Sequence, residues 1–294
     1  MTAGTVVRQI RDLGPGDHLC LPFADDTEQR EIATAFVTAG LTRRERVLYF
    51  TDRASTATVH SWLRSGPPRT ALHTGQLRVL TAGESYLTTG RFDPDTMVAT
   101  LAAETDRSLH DGYTGLRVTG EMGWAVRDVP GADALEDYER KVATVFAAGR
   151  SAALCQYDTR LFAPARLHTL TGCHHGIAEM NALHHDALSR ITPAYRHGGR
   201  VLRLTGTIDQ SNAPALGAVL TAETRRPGDL RLDLSELEFI DVAGLRVIAD
   251  TAARLTGDRR LHLLHLAPML AGVIHLIGWD HEPRLTVTPR AAHP

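Results

Sequence analysis

The stretch Leu230 to Leu255, LRLDLSELEFIDVAGLRVIADTAARL, constrains the fold of this chain more than any other. Leu230, Leu232 and Leu234 alternate with Arg231 and Asp233, the two-residue period of a strand with one buried face. Asp241 stands where a helix N-cap belongs, and Leu245, Ile248, Ala249, Ala252 and Leu255 then recur at three- and four-residue spacing. A strand therefore passes through a short turn into an amphipathic helix, a building unit of layered α/β folds.

The same grammar runs through the rest of the chain. His18 to Phe23, Val47 to Phe50, Leu77 to Leu80, Leu116 to Val118 and Ala152 to Tyr157 are short apolar runs that read as buried strands. Amphipathic helices lie between them, one with Ile32, Ala35, Phe36 and Ala39 on a face, another with Leu135, Tyr138, Val142, Val145 and Phe146. Strands separated by helices of this length imply right-handed crossovers and a mostly parallel, doubly wound sheet. Residues 168 to 185 read as helical or irregular, and Pro193, Gly198 and Gly199 then interrupt all periodicity. A linker is expected over residues 191–199, between a first domain of residues 1–190 and a second of residues 200–294. In the second, Val201 to Thr205 and Leu261 to Leu266 read as strands, as does Leu285 to Val287. Ser211-Asn212-Ala213-Pro214 opens one helix, and Leu270, Val273, Ile274 and Ile277 mark another. The tail from Pro289 to Pro294 is expected to be disordered.

A length of 294 residues leaves room for two domains. With Lys+Arg 32 against Asp+Glu 34, the formal net charge of -2 gives no electrostatic case for nucleic acid as a partner. No apolar run approaches the roughly 20 residues that span a bilayer, and Met1 to Arg11 lacks an apolar signal-peptide core, so a cytoplasmic protein is expected. Cys20, Cys155 and Cys173 are odd in number and scattered, which favours reduced thiols over a disulfide framework.

The turn Ile240-Asp241-Val242-Ala243-Gly244-Leu245 resembles the signature of STAS domains, the family of bacterial anti-sigma factor antagonists, in which Asp-Ser-Ser-Gly-Leu is common. Val201 to Asp209, VLRLTGTID, resembles the family's opening strand, Asn212-Ala213-Pro214-Ala215-Leu216 its first helix start, and Leu276-Ile277-Gly278-Trp279-Asp280 the end of its last helix. The resemblance implies a small α/β domain over about Arg200 to Val287. It also implies a partner, an anti-sigma factor or serine-kinase-like regulator, meeting the surface around Asp241, Val242, Ala243, Gly244, Leu245 and Ser211. In such antagonists the serine after the Asp is phosphorylated by the partner, and about two negative charges at a helix N-terminus end binding. Here Val242 stands at that position and Ala243 at the next, and neither has a hydroxyl. The alternatives are a scaffold that has lost partner switching and a surface that still binds, held permanently in the unphosphorylated charge state. Ser211 and Ser235 are the nearby hydroxyls, and both read as solvated loop serines.

Leu19 to Asp52 sets strand, loop, helix and strand in the order of P-loop proteins, but the segment LPFADDTEQR, Leu21 to Arg30, has no glycine and no lysine. Asp25, Asp26 and Glu28 occupy the helix start that would have to attract a phosphate, and they cap it instead. Gly16-Asp17-His18-Leu19-Cys20, Leu48-Tyr49-Phe50-Thr51-Asp52, Gly120-Glu121-Met122-Gly123-Trp124 and Cys155-Gln156-Tyr157-Asp158 together resemble the MEDS domain. That family is named for methanogen and methylotroph sensory proteins. The resemblance covers about Gly14 to His175 and implies a RecA-like sheet with a degenerate P-loop and a sensor of small hydrocarbon-derived molecules.

Glu121, Trp124 and Asp52 are the ligand-binding candidates, because α/β sheets bind ligands at the carboxyl ends of their strands. Glu121 could equally hydrogen-bond an adjacent loop, and Trp124 could simply cover the sheet edge. His18, Cys20 and Cys155, closed by His174 or Cys173, are donors suited to zinc or copper. Against that stands the absence of a C-x-x-C pair, and a Cys on a buried strand usually acts as a small hydrophobe. The pairs His174-His175 and His184-His185 read as solvated residues near the linker. No nucleophile, base and orienting carboxylate stand at a recognisable spacing, and Ser85, Ser108 and Ser151 lack a nucleophile-elbow context. The expectation is a non-enzymatic cytoplasmic regulator that senses a small molecule and engages an anti-sigma factor, with a homo-oligomer open. Its alternatives are a RecA-like ATP-binding or hydrolysing protein and a non-switching scaffold.

Overall fold

The computed structural model describes residues 6–64, 66–196 and 199–290, and the chain divides into two compact units, residues 1–179 and 180–294. The first is built from strands β1 (Val7–Gln9), β2 (His18–Phe23), β3 (Arg46–Thr51), β4 (Leu77–Thr81), β5 (Leu116–Glu121), β6 (Ser151–Asp158) and β7 (Ile177–Glu179). Between them run helices α1 (Asp26–Thr42), α2 (Thr56–Trp62), α3 (Pro67–Thr74), α4 (Pro94–His110), α5 (Leu135–Ala147) and α6 (Pro164–Gly172). The sheet order is β1-β7-β2-β6-β5-β3-β4, and every pairing in it is parallel. The expected doubly wound sheet is therefore present, and β3 shows why it must be covered twice. Val47 and Tyr49 enter one apolar cluster with Val37, Val59 and Leu77, while Leu48 and Phe50 enter another with Leu101, Trp124 and Phe146. Successive side chains leave opposite faces, so a strand apolar at every position needs a layer of helices on each side.

The second unit holds β8 (His184–His185), β9 (Ser189–Arg196), β10 (Gly199–Ile208), α7 (Ala213–Glu223), β11 (Leu230–Ile240), α8 (Val242–Ala253), β12 (Leu261–Leu266), α9 (Pro268–Leu276) and β13 (Leu285–Pro289). Its sheet order is β13-β12-β11-β10-β9-β8, parallel from β10 to β13 and antiparallel at β9 and β8. Leu202, Leu204, Leu230, Leu232, Leu234 and Leu263 from the strands pack with Leu216, Leu220, Leu245 and Ile248 from the helices. Among the described residues no helix is long and apolar enough to cross a membrane.

Two expectations need correction. The boundary falls between Glu179 and Met180, and residues 191–196, assigned above to a linker, lie in β9 with Pro193 opposite Leu202. Proline is tolerated there because β8 pairs only with Arg190 and Ile191, so among the described residues no strand lies beside Pro193 on the far edge of β9. His197 and Gly198 of that segment, and the last four residues of the tail, lie outside the described residues. His184 and His185 belong to a strand rather than a helix, and His184 Nε2 is 2.7 Å from an Asp186 carboxylate oxygen.

Arg117, the second residue of β5, is fully buried and forms an ion pair with Glu45, just before β3. Its guanidinium also donates to the Leu13 carbonyl at 3.1 Å and lies 4.6 Å from the centre of the Phe36 ring. Gly40 lets α1 pass over it, since a Cβ there would sit 2.5 Å from Arg117 Cδ. Arg117→Met leaves Glu45 a buried charge without its partner and is expected to cost about 3–5 kcal/mol. Adding Glu45→Gln should recover part of that loss, and urea unfolding of the two variants checks both.

Candidate functional site

Three places carry the polar groups and openings that a function would use. The first is the turn between β11 and α8. Asp241 accepts the Gly244 N–H at 2.9 Å through one oxygen, as the cap expected from the sequence, and the Gln210 N–H at 3.0 Å through the other. One carboxylate thus ties the start of α8 to the loop that carries Ser211, whose hydroxyl donates to Asp209 at 2.5 Å. Val242 is 50% exposed and Phe239, three residues earlier, 49%. Arg246, one helical turn beyond Val242, is exposed on the same face, as are Gln210 and Ser211. Gly244 and Leu245, expected in the partner surface, are buried instead. A Cβ at Gly244 would meet Ile208 and Ile240 at 2.7 Å, so these two residues seat the helix on the sheet. Phe239 escaped the sequence reading, although an aromatic breaking the alternation two residues before the cap was a legible signal. Asp241→Ala removes a cap and a second acceptor, each worth about 1 kcal/mol. The expected loss is about 2 kcal/mol for unfolding of the second unit, measured on the full chain in urea.

The second place is the carboxyl end of the first sheet. Asp25 accepts the N–H groups of Thr27 and Glu28 at 2.7 and 3.2 Å, so the start of α1 is capped by a carboxylate where a phosphate would sit. Glu121 is buried and accepts the backbone N–H groups of Asp52 and Arg53 at 2.9 and 2.8 Å, with the hydroxyls of Tyr49 and Thr51 each at 3.3 Å. Burial pushes its carboxyl above the ordinary value, and these hydrogen bonds act in the opposite direction. Of the two roles weighed for Glu121, the structure displays the adjacent loop. Asp52 is held by Arg127 in a bidentate pair at 2.8 and 2.5 Å. Arg160 and Arg53 share Asp158 and Asp26 beside it. Trp124 is fully buried against Tyr86 and Phe92, ring centres 5.2 and 4.6 Å away, so it belongs to the core. Two openings in this unit flank the edge strand β4. One, of about 560 Å³, has Leu48, Phe50, Leu80 and Met97 in its lining and Thr100 and Glu104 on α4. Glu104 Oε2 is buried there without a hydrogen-bond partner, while its other oxygen pairs with Arg107 at 2.7 Å. The other opening, of about 690 Å³, lies against α2 and α3.

The third place is a buried cluster. His18 on β2, Cys155 on β6 and His174 just after α6 come together, as the sequence had suggested, but around Glu139 of α5 rather than Cys20. Cys20 is paired in register with Cys155, and its thiol lies 3.7 Å from the Thr171 hydroxyl. Glu139 Oε2 is 3.1 Å from His18 Nε2, 3.5 Å from His174 Nε2 and 3.7 Å from Cys155 Sγ, and its Oε1 accepts the Tyr157 hydroxyl at 2.6 Å. Burial pushes the Glu139 carboxyl up, but the imidazoles of His174 and His18 and the Tyr157 hydroxyl outweigh it and hold the group below its ordinary value. Burial lowers His174 to about 4 and raises the Cys155 thiol, so both are neutral at pH 7. Glu139 was missed in the sequence, yet it sits beside Tyr138 in the apolar stripe Leu135, Tyr138, Val142, Phe146. A carboxylate at a core position of a helix must have partners. His175, by contrast, meets the His18 backbone, its Nδ1 3.4 Å from the His18 nitrogen and its N–H donating to the His18 carbonyl at 2.8 Å.

With this geometry in hand, comparison with known proteins divides the chain in the same way. The family model of the MEDS domain, described as MEthanogen/methylotroph, DcmR Sensory domain, matches residues 17–175, and that of the Mlab STAS domain matches residues 194–288. The anti-sigma-F factor antagonist RsfB of Mycobacterium tuberculosis is 31% identical over 99 residues, which are 33% of this chain and 81% of the relative. The crystal structure of an anti-sigma factor antagonist from Mycobacterium paratuberculosis is 30% identical, covering 33% of this chain and 83% of its own, with a TM-score of 0.30. A KaiC-like protein from Pyrococcus horikoshii covers 65% of this chain and 85% of its own at 12% identity and a TM-score of 0.43.

Proposed function

The chain belongs to the MEDS family through its first unit and to the STAS-domain anti-sigma factor antagonists through its second, and on that premise we propose that it is a non-enzymatic cytoplasmic regulator. Its second unit binds an anti-sigma factor of the serine-kinase type, and a small molecule bound by the first unit governs that binding. The observation that carries the reading is the exposed apolar pair Phe239 and Val242 flanking an intact Asp241 cap. A relative named as an anti-sigma-F factor antagonist supports it. Large apolar side chains at a helix start, ringed by Gln210, Ser211 and Arg246, have the character of a binding patch with a polar rim. With valine in place of serine, the patch keeps one charge state. Control then passes to the first unit, which requires that its ligand bind one arrangement of the chain more tightly than another.

The opening beside β4 is the place for that ligand. Its volume of about 560 Å³ and its apolar floor with few polar groups match small-molecule sites in general, and Glu104 offers an unpartnered acceptor to a hydroxyl or amine. The carboxyl end of the sheet is a poorer host, because Asp52, Asp158 and Glu121 are already engaged there by arginines and backbone amides.

Titration of the full chain with serine-kinase anti-sigma factors from the same organism, by isothermal calorimetry, tests the first half. Val242→Asp is expected to weaken binding at least tenfold, about 1.4 kcal/mol, because it installs a negative charge in the centre of the patch. Val242→Ser should bind like the parent until the kinase phosphorylates it and then let go. Failure of every such protein to bind the parent would sink the antagonist reading. For the second half, Thr100→Trp fills the opening, and native mass spectrometry should show loss of any small molecule that the parent retains.

A further inference from the structure

We infer that the first unit holds a zinc ion in a closed four-ligand site made by His18 Nε2, Glu139 Oε2, Cys155 Sγ and His174 Nε2. This goes beyond the regulatory reading and does not depend on it. The argument begins with His174. Its Nδ1 lies 2.8 Å from the Leu170 carbonyl, which can only accept, so Nδ1 carries the ring proton and Nε2 presents a bare lone pair. That nitrogen is buried, has no hydrogen-bond partner, and faces a carboxylate oxygen 3.5 Å away. Two lone pairs opposed there repel each other; a proton on the imidazole or a metal ion between them removes the repulsion, and 3.5 Å is longer than the charge-assisted hydrogen bond such a proton would make. A backbone carbonyl on the second nitrogen is also the arrangement that orients a metal-bound histidine.

Of four separations among these atoms, three match a tetrahedron around one ion and the fourth is slightly shorter. The separations are 3.1 Å from His18 Nε2 to Glu139 Oε2, 3.5 Å from His174 Nε2 to the same oxygen, 3.5 Å from Cys155 Sγ to His18 Nε2, and 3.7 Å from Cys155 Sγ to Glu139 Oε2. A tetrahedron with zinc bonds of about 2.0–2.3 Å has edges of about 3.3–3.8 Å. All four ligand atoms lie within 4.8 Å of one another. Two imidazoles, a thiolate and a carboxylate select zinc over magnesium or calcium, which take oxygen donors. On binding, the Cys155 S–H bond breaks, its proton leaves to solvent, and the zinc–sulfur bond replaces it. Thiolate and carboxylate then balance the double charge of the ion, so the filled site is neutral. All four ligands are buried, which leaves no open position for substrate and marks the site as structural. The ion would clamp α5 and the segment after α6 onto β2 and β6.

The full chain, purified without a metal-affinity step, is expected to carry about one zinc per molecule by elemental mass spectrometry. Cys155→Ser and His174→Gln should lose it, whereas Cys20→Ser, Cys173→Ser and His175→Ala should keep it. After chelator treatment, the parent should take up cobalt with the intense visible bands of a tetrahedral site and a thiolate-to-cobalt charge-transfer band. That band reports on the parent chain alone, so the test stands even where a variant fails to fold. A metal-free parent that takes up neither zinc nor cobalt would overturn the site. A stoichiometric content of a different metal would overturn its assignment to zinc, and retention of zinc by Cys155→Ser together with loss in Cys20→Ser would overturn the ligand set.

Discussion

A carboxylate taken out of water must find compensation, and the first unit is arranged around three of its buried ones. Glu45 meets the guanidinium of Arg117 inside the sheet, Glu121 collects backbone N–H groups from the loop after β3, and Glu139 gathers imidazoles and a tyrosine hydroxyl from β2, β6 and the end of α6. Each solution is chemically different, and each joins elements far apart in sequence. Unpaired, any one of them would cost several kcal/mol, comparable with the net stability of a domain. Apolar packing against both faces of the sheet supplies the bulk of the driving force, while these three centres decide which strand ends and helices must meet.

The same constraint locates what is left for function. Where the sheet's strands end, in the position at which α/β folds commonly take ligands, Asp25 caps α1, Glu121 holds a loop, and Asp52, Asp158 and Asp26 are joined to Arg127, Arg160 and Arg53. That edge is self-satisfied. An open volume lies beside β4, the strand at the margin of the sheet, where one carboxylate oxygen of Glu104 has no partner among the described residues. In the second unit the buried Asp233 accepts the Ser235 N–H, Asp241 bridges two loops, and Phe239 and Val242 stand exposed beside that bridge.

Much of the second unit was legible because local signals agreed. The alternation in β11, the Asp241 cap and the period of α8 all point to one structure, and agreement between levels is what makes a sequence readable. The linker reading failed at β9 for a physical reason: Pro193 and the nearby glycines are breakers in isolation, but a proline on the unpaired side of a strand breaks nothing. In the first unit strand order grouped His18, Cys20 and Cys155, with His174 or Cys173 to close the set, and the structure keeps His18, Cys155 and His174 of these. Glu139 could not be grouped with them, since a helix position becomes a neighbour of two strands only through packing, and of the two roles open to Trp124, pocket wall or cover of the sheet, enclosure by Tyr86 and Phe92 favours the second.

By itself, then, the sequence determined the two α/β units, the parallel order of strand and helix, the capped helix starts of α1 and α8, and the absence of a hydroxyl at Val242. These are set by residues within a few positions of one another, where hydrogen-bonding and periodicity act locally. Only the tertiary structure decided that Glu121 is engaged by a loop, that Gly244 and Leu245 are buried while Phe239 is bare, and that Glu139 stands among His18, Cys155 and His174. Those outcomes depend on distances between residues up to more than a hundred positions apart, which are set by packing two layers of helices on a twisted sheet and cannot be read from local pattern.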